Sequence, residues 1–331
     1  MPNLHTLSVA SKGRRDSVSP VVSNQLDSIR EKGIDAELYP VAAGLSGYLK
    51  AILQLRHRVR RGKYDLVHAH YGWCGIVALV SSPGTPVVVS FMGDDLLGSV
   101  NGNSKYTFMG KLFSAFNIYL AERCYAHSIV KAQNLYGKLS NKDNVSIIPN
   151  GVNLRTFRPE NRATARQALG LRLEGTYVLF PSSPDRPEKN FQLASQALAL
   201  TSIRDVEILS LEGVPNEKMY LYYSSVDSLL LTSFHEGSPN VIKEAMACDC
   251  PIVSTDVGDV RWVIGDTKGC YIASREPNDV ADKLKRALEF SQQVGRTQGR
   301  ERIIALGLDS ETIAGKIVDI YRKVLTKQEA V

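Results

Sequence analysis

Eleven short apolar segments, separated by stretches of helical periodicity, decide what this 331-residue chain can fold into. "LHTLSVA" (4–10), "DLVHAH" (65–70), "PVVVSF" (86–91) and "HSIVKA" (127–132) carry apolar residues at both odd and even positions instead of alternating strictly. Such runs suit strands buried on both faces, which means a parallel sheet with a helical layer on each side. "DAELYP" (35–40) and "VSIIPN" (145–150) complete a first series of six, with helices expected near 21–32, 45–61, 73–80 and 108–124. "TYVLFPS" (176–182), "DVEILSL" (205–211), "DSLLLTS" (227–233), "PIVST" (251–255) and "CYIAS" (270–274) form a second series, with helices near 188–200, 215–224, 239–247 and 277–290. Two such runs predict two doubly wound α/β domains, with ligand crevices at the carboxyl ends of the strands and substrate bound between the domains. The Pro-, Asn- and Gly-rich stretch "IIPNGVNLRTFRP" (147–159) marks the boundary, giving domains 1–152 and 153–309. A last helix, from about 310, carries Ile313, Ile317, Ile320, Tyr321 and Val324 on one side and is expected to return to the first domain.

Composition narrows the class. No apolar run reaches the roughly 20 residues of a membrane-spanning helix. The N-terminus lacks the basic flank, apolar core and cleavage site of a secretory signal, so a cytoplasmic protein is expected. The five cysteines are scattered, and Cys248 and Cys250 have the wrong spacing for zinc or a redox pair, so buried reduced thiols are expected. Charge is uneven: residues 1–152 hold 17 Lys+Arg against 10 Asp+Glu, a surplus of seven, and the remainder holds 23 against 24. A solvated basic face accounts for this, and so does an anionic partner, either a phosphate-bearing substrate or an acidic membrane in peripheral contact with the first domain. No nucleic-acid partner is expected. Two stretches are candidates for lipid contact: the basic helix "YLKAILQLRHRVRRGKY" (48–64) and the aromatic-rich "YTFMGKLFSAFNIYLAERCY" (106–125), with ordinary core packing the default for both.

The segment "FHEGSPNVIKEAMA" (234–247) carries the chemistry. Pro239 suits the first helical position and Ser238 before it suits an N-cap. In the helix that follows, Val241, Ile242, Ala245 and Met246 supply the buried side, while Asn240 and Glu244, four apart, share the exposed side. Glu236 stands before the helix, on the turn. A helix N-terminus between two carboxylates suits a phosphate, and carboxylates accept hydrogen bonds from vicinal hydroxyls. A ligand with a diphosphate in its middle and a hydroxylated ring at each end fits that layout, which describes a nucleotide sugar. Taken alone, two glutamates at this spacing are more often a solvated helix residue and a capping group.

The surroundings change that balance. "FHEGSPNVIKEAMACDCPIVSTDVGDV" (234–260) resembles the signature of family 4 glycosyltransferases, retaining enzymes of the GT-B fold that use nucleotide sugars. "YDLVHAHYG", "VVVSFMGDDLLG", "SIIPNGVNLRTFRP", "VLFPSSPDRPEKNFQLA" and "GVPNEKMYLYYSSVDSLLLTS" follow in the family's order, so the resemblance covers nearly the whole chain. It implies a GT-B architecture of two Rossmann-like domains facing a central cleft, and transfer of a sugar to a glycan or lipid-linked acceptor. It implies that Glu236 meets the donor sugar and Glu244 the ribose, while backbone around Gly237, Ser238, Pro239, Asn240 and Val241 holds donor hydroxyls or phosphate. Lys189 matches the lysine that neutralises the departing diphosphate, and Arg186 is the nearest candidate for its partner arginine. No cofactor is implied beyond the donor, a UDP-sugar ahead of a GDP-sugar, and the chain contains no D-x-D motif for a metal.

Departures from the family's pattern are local. Met92 stands where a histidine is frequent, followed by Gly93, Asp94 and Asp95, with Asp95 a candidate acceptor-side base and His70 its alternative. Asp249 and Asp259 replace usual glycines. The first βα loop offers one glycine, Gly13, for close approach of the diphosphate, with Arg14 or Arg15 at its edge. His68 and His70, two apart on a strand, face the same side, with no third metal ligand nearby. Tyr71 and Trp73 suit stacking on an acceptor, or burial against a helix. A GT-B epimerase or phosphorylase, and a catalytically silent sugar-nucleotide-binding protein, remain alternatives, the latter because of Met92.

Overall fold

The computed structural model describes residues 4–13, 16–98, 107–203 and 205–329. The described residues divide into two compact units, one of residues 4–98, 107–151 and 310–329, the other Val152–Asp309.

The first unit is built on six parallel strands: β1 (His5–Ser11), β2 (Asp35–Val41), β3 (Leu66–His70), β4 (Val87–Phe91), β5 (His127–Val130) and β6 (Val145–Ile147), in the order β2-β1-β3-β4-β5-β6. Its helices are α1 (Pro20–Glu31), α2 (Leu45–Gly62), α3 (Gly72–Ser81), α4 (Asp94–Leu97), α5 (Phe108–Arg123) and α6 (Gln133–Tyr136). The step from β1 to β2 runs one way across the sheet and the steps through β3, β4 and β5 run the other. Right-handed crossovers therefore put α1 on one face and α2, α3 and α5 on the opposite one. The three central strands are buried throughout, as strands covered on both faces are, and that burial takes in the polar side chains of His68, His70, Ser90, His127 and Ser128. Leu7, Val9, Val67 and Val89 from the strands pack with Leu55 and Val59 of α2 and Val77 of α3 in one core.

The second unit carries β7 (Thr176–Phe180), β8 (Val206–Ser210), β9 (Ser228–Leu231), β10 (Ile252–Thr255) and β11 (Cys270–Ala273), in the order β11-β10-β9-β7-β8, all parallel. Its helices are α7 (Arg162–Leu169), α8 (Phe191–Thr201), α9 (Met219–Ser225), α10 (Asn240–Ala247), α11 (Val260–Ile264), α12 (Pro277–Gln293) and α13 (Gly299–Ala305). The last helix, α14 (Ser310–Glu329), belongs to the first unit, where it lies beside α1, with Lys32 and Glu311 paired at 2.9 Å. Ile313, Ile317, Ile320, Tyr321 and Val324 are all buried.

The structure corrects several sequence expectations. Helices α7 and α13 are absent from the periodicity reading because their inward sides contain arginine. Arg166 of α7 is buried against Asp227 at 2.9 Å, so a charged residue occupies a core position. Cys124 is exposed, whereas the other four cysteines are buried free thiols. Arg14 and Arg15 lie outside the described residues. No helix among the described residues is long and apolar enough to cross a membrane.

Candidate active site

Strand order reverses between β7 and β9, which are neighbours although β8 separates them in sequence. Such a reversal opens a crevice at the carboxyl ends of the strands. Lys189 ends a short 3₁₀ turn (Pro187–Lys189) after β7, and Glu236 lies on the loop after β9. The two loops are stitched together by backbone contacts. Thr232 Oγ1 approaches the carbonyls of Lys189 at 3.0 Å and Asn190 at 2.9 Å, and the Phe234 amide donates to the Glu188 carbonyl at 3.0 Å. Lys189 Nζ thereby meets Glu236 Oε1 at 2.5 Å, and Ser233 Oγ donates to the same oxygen at 2.8 Å. Both side chains keep part of their surface exposed, so the pair is fixed yet reachable. Arg186 is exposed, and its guanidinium is taken up by Glu188 at 2.8 Å.

The donor loop differs in detail from its sequence reading. Helix α10 begins at Asn240 with Pro239 in the capping position, and no side chain caps it. The Ser238 hydroxyl points elsewhere: it donates to Asp259 Oδ2 at 2.6 Å and accepts from Lys243 Nζ. Lys243 and Asp259 form a buried ion pair at 3.7 Å. Asp259, which stands where the family usually has a glycine, thus anchors the loop that holds Gly237 and Ser238. Glu244 is not on an exposed face. It is 9% exposed, and its carboxylate accepts from the Tyr223 hydroxyl at 2.8 Å, because α9 packs against α10. Burial raises the Glu244 pKa, opposed by hydrogen bonds from Tyr223 and Asn216. Val241 is half-buried, not core. Asn240 Oδ1 is buried without a hydrogen-bond partner, an acceptor that a bound group would satisfy.

In the first unit the reversal lies between β1 and β3. His70 ends β3 and is 3% exposed, with its ring 4.3 Å from that of His68. Burial, reinforced by the Lys131 ammonium, lowers the His70 pKa to about 3, so the ring is neutral, and its Nδ1 has no hydrogen-bond partner. Both nitrogens of His68 are engaged, Nδ1 with the Tyr321 hydroxyl at 2.6 Å and Nε2 with Ser90 Oγ at 2.9 Å, which leaves it no lone pair for a metal. Lys131, fully buried at the end of β5, donates to the same Ser90 hydroxyl at 3.4 Å. Lys131, Lys243 and Tyr223 escape a sequence reading. The first two carry a visible signal, a lysine inside an otherwise apolar segment.

Asp95 is a correction. Its carboxylate is fully buried and accepts from the amides of Gly93 at 2.9 Å, Met92 at 3.0 Å and Gly72 at 3.2 Å. Burial raises its pKa to about 6 against those hydrogen bonds. It secures the turn after β4, in which Gly93 has φ +150°, rather than presenting a base. Met92 is half-buried and Asp94 exposed. Among the described residues, a Cβ at Gly13 would meet nothing closer than the Ser17 carbonyl oxygen, at 3.7 Å. Tyr71 takes φ +80°, a left-handed conformation rare for a bulky residue and frequent at functional sites. Trp73 stacks between Tyr48 at 5.6 Å and Phe113 at 4.6 Å, so its ring faces are spent on helix packing.

The profile "Glycosyltransferase Family 4" matches residues 5–156 and "Glycosyl transferases group 1" matches residues 177–289. The putative teichuronic acid biosynthesis glycosyltransferase TuaC of Bacillus subtilis is 28% identical over 247 residues, covering 67% of this chain but only 61% of that protein. The D-inositol 3-phosphate glycosyltransferase of Xylanimonas cellulosilytica is 26% identical, covering 90% of this chain and 81% of that one. Among solved structures, sucrose-phosphate synthase from Thermosynechococcus elongatus superimposes with a TM-score of 0.80 over 98% of this chain and 100% of the other, at 16% identity. Anabaena HepE, solved with UDP and glucose, gives 0.75 over 97% and 100%, at 15% identity. The fold is GT-B, and, with one profile on each of its two halves, the chain belongs to glycosyltransferase family 4.

Proposed function

We propose that this chain is a retaining glycosyltransferase that moves a sugar from a nucleoside-diphosphate donor to a glycan or lipid-linked acceptor in polysaccharide or cell-envelope glycan synthesis. The observation that carries the reading is the Lys189–Glu236 pair at the strand-order reversal of the second unit. An ammonium there stabilises the charge that grows on the departing diphosphate, the interaction that accelerates transfer most. Glu236 takes the sugar hydroxyls, Glu244 the ribose, and the amides and side chains of the 237–240 loop the phosphates. The bond from the anomeric carbon to the phosphate oxygen breaks, the acceptor oxygen bonds to the same face, and the acceptor's proton passes to the leaving diphosphate. The donor is a UDP-sugar ahead of a GDP-sugar, a preference supported by the likeness to HepE, which was also solved with UDP-glucose. The enzyme works on the cytoplasmic side, in peripheral contact with an anionic membrane.

Lys189→Ala and Glu236→Ala are each expected to lower turnover by roughly 10²–10³ with an unchanged far-ultraviolet spectrum. Full turnover in either variant removes the site assignment. A thermal-shift series with UDP, GDP and ADP and their sugars identifies the donor, because a ligand that binds only the native state raises its stability. Incubation with donor alone separates transfer from epimerisation, and the anomeric configuration of the product reports retention.

A further inference from the structure

The outer surface of the helical layer α2–α3–α5 exposes a cluster of large apolar side chains among its cations. On α2, Leu45, Leu49 and Leu53 recur every fourth residue and form one ridge, with Leu53 75% exposed. On α5, Phe108, Leu112 and Phe116 form a second ridge of the same spacing, Phe108 being 79% exposed, with Met109 and Tyr119 beside it. Between them lies α3, which carries no charged residue and exposes Val80. The three helices are locked into one surface by Trp73 of α3, clasped between Tyr48 of α2 and Phe113 of α5. Core packing, the expected fate of both segments, therefore accounts only for their inner sides. Large apolar side chains exposed together on neighbouring helices mark a binding face.

Charge decides what that face meets. Helix α2 has no acidic residue and carries Lys50, Arg56, Arg58, Arg60 and Arg61, while α5 carries Lys111 and Arg123 against Glu122 alone. Glu122 is turned to the Ser140 amide at 2.7 Å. A second copy of the chain would set these cations against themselves. An anionic bilayer accepts both components, apolar ridges into the acyl boundary and ammonium and guanidinium groups among the phosphates. We propose that the outer face of α2, α3 and α5 is a docking surface for an anionic lipid membrane. The proposal rests on the glycosyltransferase reading only for its purpose. The N-termini of all three helices lie at the carboxyl edge of the sheet, where His70 and Met92 stand, so docking brings a membrane-borne acceptor to that edge.

The test is co-sedimentation of the full chain with vesicles of phosphatidylglycerol and phosphatidylcholine mixed equally, against pure phosphatidylcholine, at about 0.1 M and 1 M salt. The expected result is binding to the anionic vesicles at least tenfold tighter than to the neutral ones, weakened by salt. Leu49→Glu/Leu53→Glu and Arg60→Glu/Arg61→Glu are each expected to lower that binding at least tenfold. All four residues are exposed, so melting temperature and the UDP thermal shift should not move. No binding to anionic vesicles, binding indifferent to all four substitutions, or a dimer in sedimentation velocity that Leu53→Glu dissolves would each overturn the proposal. Loss of the nucleotide thermal shift with vesicle binding intact would instead count against the enzymatic reading.

Discussion

Lys243 has 1% of its surface exposed and still carries an amine that needs a counter-charge. Burial lowers its pKa, and the Asp259 carboxylate opposes that shift. The Ser238 hydroxyl sits between the two, so the ion pair and the donor loop form one unit. A buried ion pair contributes little net stability relative to apolar side chains of similar volume, but a lone buried charge is costly. Asp259→Gly is therefore expected to destabilise the protein by about 3–5 kcal/mol. The double variant Lys243→Leu/Asp259→Gly should recover to within about 1 kcal/mol of the parent. In urea denaturation, costs that add in the double variant would show that the two residues are not coupled. The donor KM of the double variant should rise while kcat holds, since Ser238 loses both partners but Lys189 and Glu236 are untouched. The same contrast separates the other carboxylates. Glu236 shares its oxygen with a lysine at a partly exposed edge, whereas Asp95 gives both oxygens to backbone amides in the interior, so only the first is available to substrate.

Elements position these residues through backbone contacts that side-chain chemistry alone does not reveal. Gly258, in the turn from β10 to α11, has φ +57°, and a Cβ there would stand 2.4 Å from the Gly237 carbonyl oxygen and 3.1 Å from that of Glu236. Both obstacles are main chain, so neither can swing aside. Gly258→Ala should cost about 2 kcal/mol or more, the left-handed penalty of 1–2 kcal/mol plus displacement of the donor loop, and should weaken donor binding. Gly33→Ala, at φ +79° with nothing within 4 Å, should cost only the conformational part and leave donor binding unchanged. Thermal unfolding and donor titration of both variants check the pair. What the sequence discloses follows the same division. The eleven strands and the long helices α2, α5 and α12 are legible because their apolar residues recur locally. Helix α7 is framed by Asn161, which caps it through the Thr164 amide at 3.1 Å, and by Gly170 in the left-handed conformation. Those two residues mark it more clearly than its periodicity does, since Arg166 fills a core position. Lys189 and Glu236 can be singled out in sequence, but the burial of Glu244 depends on Tyr223, which belongs to another helix, and no local pattern encodes it.

At the scale of the molecule, the first unit should be the more acid-labile of the two. The first unit buries His68, His70 and His127 in neutral form, with pKa values lowered by burial, to about 3 for His70 and about 4 for His127. A histidine lowered from its ordinary 6.5 binds fewer protons folded than unfolded, so its stabilisation is complete above pH 6.5 and is lost as pH falls toward the folded value. Glu37, held at about 2 by the Tyr64 hydroxyl and Arg58, adds a further loss below about pH 4.5. Asp95, raised to about 6 by burial, works the other way between about 3.8 and 6, one group against three. In the second unit burial raises the carboxyls of buried Glu244 and half-buried Asp249, so protonation favours their folded form, while Glu188, lowered by hydrogen bonds against its burial, and Asp279, lowered by its hydrogen bonds with Ser274, lose stabilisation in acid. The chain has two tryptophans, Trp73 in the first unit and Trp262 in the second. In an acid titration followed by fluorescence, the Trp262→Phe variant, which reports Trp73, is expected to unfold at higher pH than the Trp73→Phe variant, which reports Trp262. Adding His70→Asn to the Trp262→Phe variant should bring the earlier transition to lower pH. Coincident transitions in the two single-tryptophan variants would show that the buried histidines do not govern acid stability.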